Sequence, residues 1–193
     1  SIIAPSDKRT SSSYVSSNDY DASYAMTNEI ISKGHDNIGF IKGHHKHSAS
    51  LLRYKGFSDA LTQKNISINR EWVKEGDFTF DSGFNAGLKI LDTPLPPSVI
   101  FASNDYMAAG VMKAAQMKGI KIPSELCIIG FDDSPIAEQL WPSLSTIRQP
   151  VGEMASHAAK ILLGTVDGLS VKTESREFKS ELILRESLIT LSN

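Results

Sequence analysis

Several things are scarce in this sequence, and each scarcity closes a class of function. A single cysteine, Cys127, stands among 193 residues, so no internal disulfide can form. Its apolar flanks suit an inert buried thiol, which allows a reducing compartment without requiring one. No apolar run approaches the roughly 20 residues that span a bilayer. The stretch after Ser1 lacks a basic region followed by an apolar core, so no signal peptide is legible there. Net charge is −2, with lysines and arginines scattered instead of gathered in a stripe. Phosphate attraction needs clustered cations, so this stretch alone is a poor nucleic-acid binder. Catalytic signatures are missing as well: there is no GxGxxG, GxxxxGK[ST], HExxH or GxSxG. A binding protein is expected, not an enzyme, and no cofactor is implied.

The remaining sequence has a rhythm. "IGFIK" (38–42), "EWVKEG" (71–76), "SVIFA" (98–102) and "LCIIG" (126–130) read as strands. Helical patterns come after the first three, over 48–63, 81–91 and 104–118. Strand starts near 38, 72, 99 and 126 lie one strand–helix unit apart, which argues for an α/β fold, a parallel sheet with helices on both faces. Asn18 or Asp19 suits the cap of an earlier helix with Ala22, Met26 and Ile30 in one stripe. Asp81 and Asn104 suit the caps of two later ones. After Asp133 the period is lost through a proline-containing connection. A helix at 151–163, ended by Gly164, and an extended "REFKSELILRESLI" complete the chain.

In open α/β sheets ligands bind outside the carboxyl ends of the strands. The residues just past each strand are therefore informative. The four lips carry "GHHKHSASLLR" with Arg53, "GDFTFD" with Phe78 and Phe80, "SNDYMAAG" with Asn104 and Asp105, and "GFDD" with Asp132 and Asp133. A guanidinium, an aromatic face, an amide and a carboxylate converging on one rim suit a neutral polyhydroxy ligand. The carboxylate accepts hydroxyl hydrogens, the fork donates, and a ring covers the apolar face of a sugar or stacks on a planar base. The bland alternatives stay open. Asp133 and Asp105 suit turn or cap roles, one of Phe78 and Phe80 should face inward, and Arg53 has a surface ion pair as its rival role. His44, His45 and His47 share a loop without acidic or thiol partners and match no zinc spacing, so no metal is expected. His47, six residues before Arg53, is within reach of the cleft. The acids of "GFDD" lack the lysine that a phosphoryl-transfer site wants.

"GHDNIGFIKG", "RYKGFSDAL", "GDFTFDSGF", "VIFASNDYMAAGVMKAAQMKGIKIPSELCIIGFDD", "PSLSTIRQP" and "ELILRES" come in the order and spacing typical of the lac repressor family, and nearly the whole chain resembles it. The resemblance implies an effector-binding core with a periplasmic-binding-protein fold of two subdomains. It places Arg53 at the arginine of R-x-x-G-F, Asn104 at the asparagine of N-D, Asp132 at the first acid of G-F-D-D and Phe78 at the covering aromatic. His47 falls where members vary. The family usually has D-N before the first helix, whereas here the order is Asn18-Asp19.

By that likeness, residues 1–17 are a remnant of the amino-terminal subdomain and 18–148 the carboxyl-terminal one. Residues 149–170 hold a helix of the former, and 171–193 a returning strand and tail. The helix-turn-helix and most of the first subdomain are expected outside this truncated stretch, which alone should bind effector weakly or not at all. The implied parent is a cytoplasmic, homodimeric repressor that answers to a sugar or related metabolite and meets operator DNA only through the absent helix-turn-helix, with no membrane partner. A periplasmic sugar-binding protein and a purine-responsive repressor are the alternatives.

Overall fold

The computed structural model describes residues 2–3, 13–166 and 175–191, with side chains over 13–163 and 175–191. The stretch that joins the 151–163 helix to the extended segment lies largely outside them. In chain order the elements begin with β1 (Ile2–Ile3), β2 (Tyr14–Ser17), α1 (Asp19–Ser32), β3 (Ile38–Ile41) and α2 (Ser48–Gln63). A 3₁₀ turn (Arg70–Trp72) then precedes β4 (Val73–Lys74), α3 (Phe80–Leu91), β5 (Val99–Ala102) and α4 (Asp105–Met117). The remainder is β6 (Cys127–Ile129), α5 (Pro135–Gln139), β7 (Thr146–Arg148), α6 (Val151–Val166), β8 (Ser175–Phe178) and β9 (Glu181–Ile183).

The principal sheet is parallel, in the order β4-β3-β5-β6, with Phe40 opposite both Val73 and Phe101. Successive side chains of a strand point to opposite faces, and here both faces are apolar. Phe40, Val99, Phe101, Cys127 and Ile129 pack with Met26, Ile30 and Phe57 of α1 and α2. Ile41, Ile100 and Ile128 pack with Ile90, Met107 and Val111 of α3 and α4. The ring of Phe40 lies 4.7 Å from Phe57 and 5.2 Å edge-on from Phe101, so aromatic contacts tie the sheet to α2. Cys127 is buried, and burial pushes its thiol upward, as an inert core thiol should be.

A second, small parallel sheet runs β1-β2-β8. α6 covers it through Met154 and Ala158 against Val15 and Phe178. β7 and β9 pair antiparallel beside β6. Three segments therefore pass between the small sheet with its helix and the principal unit. They lie at residues 17–19, 148–151 and 178–181.

Local chemistry departs from the expected caps in instructive ways. Asn18 is the cap residue of α1, yet its Oδ1 accepts from the Ser180 N–H at 2.8 Å instead of from the helix. Thr79, not Asp81, caps α3, accepting from the Ser82 N–H. Asn104 does cap α4, through the Met107 N–H at 2.9 Å. The helix at 151 runs on to Val166, so Gly164 does not end it. The 71–76 stretch supplies only two strand residues, because Asn69 caps the 3₁₀ turn and coils Arg70–Trp72 ahead of them.

Candidate functional site

β3 and β5 are neighbours whose onward connections leave in opposite directions, one to β4 and one to β6. Such a switch point opens a crevice at the strand ends. Arg53 reaches it from the second turn of α2, with only 5 % of its surface exposed. Its Nε donates to Asp19 Oδ1 at 2.7 Å, and its Nη1 to the Ser103 carbonyl at 2.6 Å and to Asp132 Oδ1 at 3.3 Å. The guanidinium carbon sits 3.6 Å from the Phe131 ring centroid, a desolvated cation–π contact. The surface-pair alternative for Arg53 is thereby set aside: the side chain is buried, and its ion pair with Asp19 is buried with it.

Asp132 stands where β6 ends, with a backbone φ of 111°, a region that non-glycine residues rarely enter. Its N–H donates to the Ile147 carbonyl at 2.8 Å, which fixes the turn. The side chain is 32 % exposed, so the carboxylate is both anchored and open. Burial pushes its carboxyl above the usual carboxylate range, against the pull of Arg53 and of the Gln149 amide.

Phe78 also holds a positive φ, 70°, and the far end of its ring abuts Gly43; a Cβ at Gly43 would lie 2.0 Å from Phe78 Cζ. Asn104 Nδ2 donates to the Phe78 carbonyl at 2.9 Å. The amide expected to face the ligand is thus partly engaged in shaping the site, with its oxygen capping α4 and its nitrogen holding Phe78. Of the two phenylalanines Phe78 is the half-buried one, while Phe80 is 39 % exposed at the start of α3. His47 is exposed ahead of α2, its ring edge-on to Phe78 at 5.7 Å. His44 stacks on His45 at 4.7 Å and meets His47 at 5.5 Å, which extends the aromatic wall. Among the described residues no group of three His, Cys, Asp or Glu side chains is arranged to hold a metal.

All five expected residues therefore join one contact network: Asp132 to Arg53, Arg53 to Ser103 beside Asn104, Asn104 to Phe78, and Phe78 to His47. Asp133 ties the turn to β7 and to the segment after β9. Its carboxylate takes Arg148 Nε at 2.6 Å and Arg185 Nη2 at 2.8 Å. Asp105 does not cap its helix but binds the loop after β6 and the start of β7, accepting from Ser134 N–H and from Thr146 Oγ1. Two participants are not legible as such in the sequence. Asp19 reads there as a helix cap and Gln149 as part of an irregular connection, although Gln149 Nε2 donates to Asp132 Oδ1 at 2.6 Å. The inverted order of Asn18 and Asp19 is the available hint for the first.

Comparison with known proteins bears on the fold that carries these residues. Residues 27–188 match the family described as the periplasmic binding protein-like domain. The chain is 34% identical over 176 residues to the probable HTH-type transcriptional repressor ExuR of Bacillus subtilis, covering 91% of this chain and 53% of that protein. It is 36% identical over 166 residues to the HTH-type transcriptional repressor CytR of Escherichia coli, covering 86% and 49%. A solved sugar-binding transcriptional regulator of the LacI family from Escherichia coli, complexed with phosphate, superposes with a TM-score of 0.88 at 33% identity, covering 98% of this chain and 68% of that one. The chain spans about half the length of the curated relatives it matches.

Proposed function

Because the chain belongs to the periplasmic binding protein-like family, and within it to the lac-repressor-type regulators, we propose that it forms the larger part of an effector-binding core and takes a small polyhydroxy metabolite against Asp132 and Arg53. One observation carries the reading. Residues 79 positions apart, a buried arginine and a strained, half-open aspartate, meet at 3.3 Å in the crevice of the switch point. A carboxylate that accepts and an arginine that orders it form a hydroxyl-recognising pair, and Phe78 supplies the apolar face beside them.

In the parent protein the small sheet with α6 belongs to a second lobe. Effector contacting both lobes in one arrangement more favourably than in the other shifts the population that binds operator. Operator contact falls to the part of the relatives' length that this chain does not span, and the protein acts in the cytoplasm as a homodimer. The role is binding, not catalysis. A transporter's periplasmic binding protein shares the fold and is the weaker fit, since the relatives matched are repressors. A planar-ring effector such as a nucleobase is a second reading, favoured by the run of rings from His45 through His44 and His47 to Phe78.

The test is a thermal-shift and calorimetric screen of sugars and nucleosides on the full-length protein, since ligand that binds only the folded form raises its melting point. Asp132→Ala is expected to lower the affinity of the responding compound roughly ten- to hundred-fold, the loss of a charged hydrogen bond or two. Operator binding in gel shifts should persist. Unchanged affinity in Asp132→Ala would remove the carboxylate from the site.

A further inference from the structure

Both polar contacts of the Asp132 carboxylate fall on one oxygen. Oδ1 receives Gln149 Nε2 at 2.6 Å and Arg53 Nη1 at 3.3 Å, and the side chain retains 32 % exposure. The other end of this chain of contacts is Asp19, whose Oδ1 takes Arg53 Nε at 2.7 Å with both side chains only 5 % exposed. The termini of the chain have a meaning in the fold. Asp19 opens α1 immediately after β2 of the small sheet. Gln149 lies between β7 and α6, the helix that covers that sheet, and its carbonyl accepts from the Val151 N–H at 2.8 Å. Two of the three segments passing between the small sheet and the principal unit are therefore tied, through side chains, to the same carboxylate.

We propose that Gln149 is a positioning residue of the ligand site: its amide holds Asp132 in the orientation that presents Oδ2 to an effector hydroxyl, and it couples that carboxylate to the segment leading into α6. The functional consequence rests on the reading of Asp132 as the effector's acceptor, though the fixing of the carboxylate stands apart from any effector. A backbone tie already holds the turn, through the Asp132 N–H, so the side-chain contact governs the orientation of the carboxylate and not the path of the chain. Ligand that pulls on Asp132 moves a group bonded to residue 149, and movement of residue 149 turns the acceptor. Such reciprocity is what coupling between a site and a moving element requires.

The experiment needs no effector at its first stage. The Asp132 carboxyl is titrated by carbon-13 NMR in the full-length protein and in Gln149→Leu, which keeps the size and removes the N–H. Gln149→Met serves the same purpose should leucine fold poorly. The titratable groups facing Asp132 are Arg53 from α2, Asp19 from α1 and Asp105 from α4, and all remain in the variants. Loss of a donor to the anion should move the Asp132 titration to higher pH. An unchanged midpoint overturns the proposal. At the second stage D-ribose, D-glucose, cellobiose and adenosine are titrated calorimetrically. Whichever the wild type binds should bind Gln149→Leu on the order of ten-fold more weakly. Gln149→Glu should lose binding at alkaline pH and regain it as the pH is lowered and the facing carboxyls come to share a proton. Equal binding by wild type and Gln149→Leu overturns the inference alone. A shifted Asp132 titration with none of the four compounds bound upholds the positioning role and counts against the effector reading.

Discussion

Asp105 shows how a side chain can support the site while destabilising the fold. It is fully buried at the first turn of α4, accepting from Ser134 N–H at 2.7 Å, Ser134 Oγ at 2.9 Å and Thr146 Oγ1 at 2.5 Å. Three donors do not offset its desolvation, and burial pushes the carboxyl up to about 6. An acid with a higher pKa folded than unfolded holds more protons in the native state between those two values, so stability falls as pH rises through that interval and levels off above it. From the ordinary aspartate value of 3.8 the difference corresponds to about 3 kcal/mol lost by pH 7. Asp105→Asn should remove this component, so that urea midpoints measured from pH 4 to 7 decline less steeply in the variant than in the wild type. An equally steep decline in Asp105→Asn would show that the site titrates elsewhere. Position past a strand end is what marks Arg53, Asn104 and Asp132 as candidates in the sequence. The partners that fix them were not, because Asp19–Arg53 and Gln149–Asp132 join residues 34 and 17 positions apart, and no local spacing encodes such a pairing.

At the scale of elements, the strand–helix period was readable because both faces of the parallel sheet need helices, and the helical patterns at 48–63 and 104–118 fall within a residue of α2 and α4. What the period could not convey is how closely helices approach. α3 and α4 touch backbone to backbone. A Cβ on Gly110 would lie 2.3 Å from the Phe80 carbonyl oxygen and 2.5 Å from the Phe84 nitrogen, and one on Gly83 would lie 2.2 Å from the Met107 oxygen. The "Gly-Phe" of "RYKGFSDAL" has the same cause, since a Cβ on Gly56 would lie 2.3 Å from the Tyr20 carbonyl across the α1–α2 contact. Helix propensity favours alanine over glycine by about 1 kcal/mol. Overpacking against backbone, which cannot rotate aside, costs about 1–3 kcal/mol. Gly110→Ala should therefore destabilise the protein despite its better propensity, lowering the melting temperature by a few degrees. A rise in melting temperature would mean that the two helices separate freely. The same contact places Phe80 and, two residues earlier, Phe78, so a spread α3–α4 pair should also loosen the aromatic side of the crevice.

Among the described residues an apolar groove is uncovered on the side where α4 meets the loop after α5. Trp141 is 87 % exposed, and Met112, Ile120, Ile122, Leu140 and Pro142 line the groove beside it. Lys113 and Glu186 flank the same groove. An isologous two-fold contact brings residue i of one copy to residue j of the other, so a groove carrying an exposed tryptophan, one cation and one anion offers both halves of such a contact. Burying roughly 200 Å² of tryptophan at about 25 cal/mol/Å² contributes about 5 kcal/mol per copy before the cost of association. The contribution is made twice in a symmetric pair. For the homodimer proposed above, this face is the expected contact, which would leave Arg53 and Asp132 free at the strand ends. Sedimentation velocity on the full-length protein should show a dimer, and Trp141→Glu should yield monomers with the helical circular dichroism intact. A dimer that survives Trp141→Glu would transfer the contact to another face, and the groove would then have no part in assembly.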